Sequence, residues 1–405
     1  MAKIDELLKE LCPDGVEWKT LSELGKFFGG LTGKSKSDFQ DGNSKYITYK
    51  NVYENPSIDL AINDLVFVSD GEKQNIVQFK DVLFTGSSET PNECGMSSVI
   101  TETPKESYYL NSFCFGFRLN DTSLFNEQFL KHYFRSSAFR SDIGKTAHGV
   151  TRFNISKVKF GQLQIPILPL PIQQHIVEVL DTFTDAISNL EEELALREKQ
   201  FEFYREQLFN FDEGEFEWKY IPELASYSTG LTYKPANVKD TGTLVLRSSN
   251  IKNNQLSFED NVYVQMNIPE RSKVQLHDIL ICVRNGSKNL VGKCAYISNL
   301  SSECAFGAFM NILRPYNINS KFLYYSWQLH STINQYKGDD ASPICQITNK
   351  DFARIRIKVP SEVRQQEIVE ILDTFEAMIA NIKEEIALRT KQYEYYREKL
   401  LSFGK

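Results

Sequence analysis

Gln173-Gln174-His175-Ile176-Val177-Glu178-Val179-Leu180-Asp181-Thr182-Phe183 returns 192 residues later as Gln365-Gln366-Glu367-Ile368-Val369-Glu370-Ile371-Leu372-Asp373-Thr374-Phe375. The match continues through Tyr204-Arg205-Glu206 against Tyr396-Arg397-Glu398 and ends at Phe211 against Phe403, with 24 identities in 40 aligned positions. Such a match marks a tandem duplication. In the first copy, apolar residues fall at 176, 180, 183, 187, 190, 194, 201, 204, 208 and 211, in steps of four and three once position 197 is included. In the second, Ile368, Leu372, Phe375, Ile379, Ile382, Ile386, Tyr393, Tyr396, Leu400 and Phe403 keep the same steps. This is a sustained heptad seam without internal Pro or Gly, so each copy predicts one long helix. Pro171 and Pro360 precede the two copies, where proline suits a helix entry. Each helix would be roughly 60 Å long from the α-helical rise. The natural cover for each seam is the other, giving an antiparallel coiled coil. Arg197 and Arg389 interrupt the seams; a stem packed on the coil with its head reaching a nearby Glu accounts for both.

Weaker echoes lie outside these segments. Glu17-Trp18-Lys19 returns as Glu217-Trp218-Lys219, Gly30-Leu31-Thr32 as Gly230-Leu231-Thr232, and Asp81-Val82-Leu83-Phe84 as Asp278-Ile279-Leu280-Ile281. One globular fold therefore occurs twice, with diverged loops. Strand-like runs at Tyr46–Tyr49, Asp64–Val68, Phe113–Phe117, Leu244–Leu246 and Ile279–Val283 are separated by Gly, Asn and Ser clusters. The expected class is α+β: two pseudo-symmetric globular domains joined by two long helices. The predicted boundaries are 1–170, 171–211, 212–360 and 361–405. Ile4–Leu11 reads as a short amphipathic helix that corresponds to the end of the first long helix. It is expected to dock around residues 396–403.

Composition limits the alternatives. Residues 172–211 carry a net charge of −6 and residues 364–403 a net of −2, so the rest of a chain at −7 is close to neutral. The acid is thus concentrated on the helices, and basic patches remain open to the globular parts. Seven cysteines without a Cys-x-x-Cys pair, and five histidines without metal-ligand spacing, predict reduced thiols and no metal site. No apolar run reaches membrane-span length and Met1–Glu10 is charged, so a cytoplasmic protein with no membrane partner is expected.

The alternation of two divergent domains with two near-identical helices resembles the specificity subunits of Type I restriction–modification enzymes. The resemblance covers the whole chain. It is carried most specifically by Leu7-Leu8-Lys9-Glu10-Leu11-Cys12-Pro13-Asp14-Gly15-Val16-Glu17-Trp18, the Gln-Gln-x-Ile-Val-Glu segments and the Tyr-Arg-Glu-x-Leu helix ends. It implies that each globular part is a target-recognition domain reading one half of a split double-stranded DNA site, with the helices as a ruler. It implies two methylation subunits and restriction subunits as partners. S-adenosylmethionine, ATP and Mg2+ would sit on those partners, with no cofactor and no catalytic residue on this chain. Two domains that differ in sequence imply an asymmetric target.

Loops on a rigid scaffold are the expected readers. The first set is Thr32, Lys34 and Lys36, with Thr232 and Lys234 as counterparts; the lysines suit phosphate contacts, or are simply solvated. The second is Tyr49, Lys50 and Asn51 against Arg247, Ser248 and Asn250, where Arg can fork onto guanine and Asn onto adenine. The third follows the strand at 81–84 and its copy: Ser87, Ser88 and Glu89 against Arg284, Asn285 and Lys288. The fourth precedes each long helix: His148, Thr151 and Arg152 against Ser342 and Gln346. Phe203, Phe209 and Tyr395 are expected on outer helix faces as docking groups for methylation subunits.

Three motifs mislead. Gly29–Ser35 resembles a phosphate-binding loop but has Phe28 where the first glycine belongs. Asp14 with Glu17-x-Lys19 echoes a nuclease motif, yet the residues are too close in sequence to come from two strands. Asn55-Pro56-Ser57 is only a turn, and no Asn-Pro-Pro-aromatic or Asp-Pro-Pro-aromatic methyltransferase motif occurs. The competing readings are a coiled-coil scaffold that binds only proteins and a silent variant specificity subunit.

Overall fold

A computed structural model describes residues 2–91, 93–300, 302–336 and 346–403. Packing divides the chain into two compact units, Met1–Glu191 with Glu384–Lys405, and Glu192–Lys383. The two long helices, Leu170–Leu208 and Glu362–Leu400, are each 39 residues long and each contributes one part to either unit.

The first unit is built on a four-stranded antiparallel sheet in the order Gly25–Gly29, Cys114–Leu119, Val82–Thr85, Ser97–Val99. The second repeats it as Ala225–Thr229, Met310–Pro315, Ile279–Cys282, Cys294–Tyr296. A smaller sheet in each contains one parallel pair, Ser44–Ile47 with Tyr108–Leu110 and Thr243–Leu246 with Cys304–Phe306. A ribbon ties the start of each globular part to its end: Glu17–Thr20 pairs with Gln164–Ile167, and Phe216–Tyr220 with Arg356–Pro360. The run read as a strand through Tyr49 stops at Ile47. Thr48 caps a helix Tyr49–Glu54 by accepting from the Asn51 amide at 3.2 Å.

The conserved pieces of the duplication turn out to be joints. Each unit packs a pair of short helices, Glu127–Tyr133 with Ser137–Gly144 or Ser320–Trp327 with His330–Tyr336, near its long helices. The Gln-Gln pair holds the start of the first short helix. Gln173 Oε1 accepts from the Asn126 amide at 2.8 Å and Gln174 Oε1 from Asn126 Nδ2 at 3.1 Å. Gln365 and Gln366 do the same for Asn319, at 3.0 and 3.1 Å. Asp181 binds Lys131 at 2.9 Å, and Asp373 binds Lys321 at 2.7 Å. The glutamate of Tyr-Arg-Glu takes the start of the second short helix: Glu398 accepts from the Ser137 amide at 3.0 Å and Glu206 from the His330 amide at 3.0 Å. Carboxylates there satisfy otherwise unpaired amides and complement the helix dipole.

Helix contacts within each unit follow the predicted seam. Phe183 stacks on Tyr396 at 5.1 Å in the first unit; Tyr204 stacks on Phe375 at 5.3 Å in the second. In the second unit Glu198 also pairs with Lys383, so the partners run in opposite directions. Arg197 and Arg389 stay on the surface with Glu193 and Glu385, at 3.3 and 2.8 Å. The N-terminal helix Ala2–Leu11 buries Ile4 in the core that holds Leu400 and Leu401, as the sequence repeat requires. One expectation fails. Phe209 is only 6% exposed and stacks on Phe322 at 4.8 Å, because it lies on the side of the helix end that faces the core of its unit. Phe203 and Tyr395 remain 60% and 58% exposed.

Candidate nucleic-acid interface

In the first unit the chain leaves the strand Val82–Thr85, passes Gly86 and enters Ser87–Ser88. This two-residue strand pairs with Phe153–Ile155, which in turn pairs with Ala147–His148. The third and fourth candidate sets are therefore one small sheet. Tyr49, from the second set, donates its hydroxyl to the Ser87 carbonyl at 2.8 Å. Arg152 donates from Nε and Nη2 to Ser87 Oγ at 3.2 and 3.0 Å. Tyr49, Tyr53, Ser88, Glu89, Phe113, Thr151 and Arg152 bound an open cleft. Glu93 lies at its edge; the hydroxyls of Thr90 and Ser88 hold its carboxyl below the usual range. Lys50, Glu89, His148, Thr151 and Arg152 are exposed.

The second unit repeats the arrangement with other side chains. Arg284 forms an antiparallel bridge with Gln346, again joining the third and fourth sets. Asn285 Nδ2 donates to Ser248 Oγ at 3.2 Å, joining the third set to the second. Thr232, Tyr233, Arg247, Ser248 and Phe309 line the cleft here, so the first set joins as well. Arg247 is tied to Asp260 at 2.8 Å. Thr232, Lys234, Arg284, Lys288 and Gln346 are exposed. Ser342 lies outside the described residues.

Three expected readers are spent internally. Asn51 and Asn250 are buried. Asn51 Nδ2 donates to the Asp59 carbonyl at 2.8 Å, and Asn250 Nδ2 to the Ser257 carbonyl at 2.9 Å. Their amides brace the loops and have no edge left for adenine. Lys34 aligns with Lys234 but is bonded to Glu72 at 2.6 Å with a side chain 8% exposed. This bond is the main reason that the Glu72 carboxyl falls to about 2. Thr32 has both backbone groups on Gln74, and Lys36 is exposed beside it, but neither lines the cleft of the first unit.

Sequence reasoning passed over Phe113 and Phe309. Both immediately precede matching central strands and are 55% and 58% exposed. Their shared place in the repeat was the available signal. It also passed over Arg118 and Arg314, which clamp the buried carboxylates of Asp81 and Asp278 with bonds of 2.6–2.8 Å at the opposite ends of the strands that lead into the clefts.

Among the described residues no cluster of His, Cys, Asp or Glu could hold a metal ion, and no helix is long and apolar enough to cross a membrane. Two clefts of one architecture with different linings are thus carried on a repeated helical spine. The family described as Type I restriction modification DNA specificity domain matches residues 13–197 and 213–388. The chain belongs to this family, and a scaffold without DNA recognition is not favoured. It is 30% identical over 295 residues to the EcoR124I/EcoR124II specificity subunit of Escherichia coli, covering 69% of this chain and 72% of that one. It is 33% identical over 165 residues to the EcoKI specificity subunit of E. coli K12, covering 38% and 34%. Two solved structures share the fold. The S subunit of a Type I system from M. genitalium has 17% identity, a TM-score of 0.52, and coverage of 96% of this chain and 97% of that one. A chain solved in work on assembly and conformational transition of a Type I system has 16% identity, a TM-score of 0.63, and coverage of 96% and 98%.

Proposed function

We propose that each unit reads one half of a bipartite, asymmetric DNA site through the cleft at the strand ends, while the long helices set the spacing between halves and dock two methylation subunits. The observation that carries this reading is the convergence of matching loops into a cleft in both units, with different side chains on the two. Half-sites about 34 Å apart lie on one face of the duplex. Tyr49, Lys50, Ser88, Glu89, His148, Thr151 and Arg152 would face one half. Thr232, Lys234, Arg247, Ser248, Arg284, Asn285, Lys288 and Gln346 would face the other. The chain performs no catalysis: methyl transfer with S-adenosylmethionine, and ATP- and Mg2+-dependent cleavage, belong to the methylation and restriction subunits in the cytoplasm. Single-molecule methylome sequencing of a host expressing this chain with its methylation subunit tests the reading. A new two-part asymmetric motif that requires the chain supports it. No new motif despite an assembled complex overturns it.

A further inference from the structure

The two units differ in almost every exposed residue of their clefts, yet one feature is kept. Phe113 and Phe309 sit at the same point of the repeat, each more than half exposed. Each ring carries an arginine over it: Arg152 at 5.1 Å from the Phe113 centroid and Arg284 at 5.4 Å from that of Phe309. Both distances lie within the reach of a cation–π contact. The two arginines are not aligned in sequence. Arg152 comes from the hairpin before the first long helix; Arg284 comes from the segment after the central strand, at the place that Ser87 holds in the first unit. These two segments are bridged in both units, Asn154 with Ser87 and Arg284 with Gln346. A guanidinium thus reaches the same spot over the same ring from opposite strands. Divergence has moved the arginine in sequence and retained it in space.

Neither guanidinium is neutralised by a carboxylate among the described residues. Arg118, Arg314 and Arg247 each pair with an aspartate. Ser87 Oγ takes the Nε and Nη2 side of Arg152, which leaves the Nη1–Nη2 end open. A ring beneath a guanidinium fixes its plane and removes rotamer freedom from a planar, two-pronged donor. That geometry matches the O6 and N7 acceptors of guanine in the major groove. A phosphate contact would need only charge, which a lysine supplies as well.

We propose that Phe113–Arg152 and Phe309–Arg284 are equivalent guanine-reading plates, one per half-site; this rests on the reading that each unit binds a half-site. The test is methylome sequencing with the methylation subunit, comparing the wild-type chain with R152A, R152K, R284A, R284K and the milder F113L and F309L. Each wild-type half-site should contain a guanine. R152A and R152K should both relax that base in one half-site by about tenfold or more and leave the other half unchanged; the Arg284 pair should do the converse. The leucine variants should relax the same positions less, and they guard against misfolding because the rings are exposed. Lysine variants that keep wild-type base preference, or alanine variants that lower methylation evenly without changing the motif, would mean phosphate contacts and overturn the proposal. So would a half-site without guanine. If the wild-type chain gives no motif at all in an assembled complex, both this proposal and the half-site reading fall; a wild-type motif insensitive to these variants removes this one alone.

Discussion

Residues that repeat across the two units fall into two physical classes. Asp81–Arg118 and Asp278–Arg314 are bidentate pairs with carboxylates 1% exposed, placed directly before the strands that deliver the third candidate set. Removing one partner strands a buried charge. Arg118→Ala or Arg314→Ala should therefore destabilise its unit by about 3 kcal/mol, the lower end for such breaks because the guanidiniums are partly exposed. Thermal denaturation of the complete chain measures this. The second class is the carboxylate at the joint between domain and helix: Asp373 takes the Tyr325 hydroxyl, and at the matching place Asp181 takes His132. His132 is buried between Asp181 at 2.8 Å and the Tyr393 hydroxyl at 2.9 Å. Burial holds its imidazole below the usual 6.5, outweighing the aspartate. The unfolded chain takes up this proton first, so the contribution is complete above about pH 6.5 and declines as pH falls. A melting temperature that drops between about pH 7.5 and 5.5 in the wild type, and drops less in His132→Gln, is the expected result. Equal slopes would remove His132 as the cause.

Elements in this protein divide by what they face. The long helices look alike because both must dock a helix pair, cover a seam and leave an outer face. Their apolar spacing was readable without coordinates, since period alone specifies a helical stripe. Which aromatics stay outside was not readable: Phe203 and Phe209 are both near the helix end, and only the packing of Phe322 separates them. Phe203→Lys with Tyr395→Lys should abolish co-purification with methylation subunits while leaving the melting temperature within about 1 °C, as surface substitutions do. Phe209→Lys should instead lower the stability of its unit by several kcal/mol, because a charge would enter the core. Retained assembly in the double variant would move the docking surface elsewhere.

For the whole molecule, the net charge of −7 does not oppose DNA binding, because the surplus acid lies on the helices. Lys50, Arg152, Lys234, Arg284 and Lys288 are exposed cations on the globular parts. Duplex affinity of the chain assembled with methylation subunits should fall steeply between about 50 and 200 mM salt. Lys50→Ala or Lys234→Ala should make that log–log slope shallower by about one each, without changing the motif. A slope unaffected by either substitution would place the phosphate contacts on other residues.

The duplication, the two long helices, the α+β class, the docking of Ile4–Leu11 against the end of the second helix, and the family were all legible in the sequence. All of these depend on periodicity and on residues repeated at fixed offsets, which survive in one dimension. Which loop side chains are left unbonded emerged only from the fold. Asn51, Asn250 and Lys34 have the right chemistry for DNA, but their bonds go to Asp59, Ser257 and Glu72, neighbours that spacing does not reveal. Phe113 and Arg152, 39 residues apart, and Phe309 and Arg284, 25 apart in the reverse order, meet only because a short bridge between loops brings them together. Exposure and pairing are properties of folded neighbours, so a loop's composition shows what it could bind and its packing selects which side chains remain available to do so.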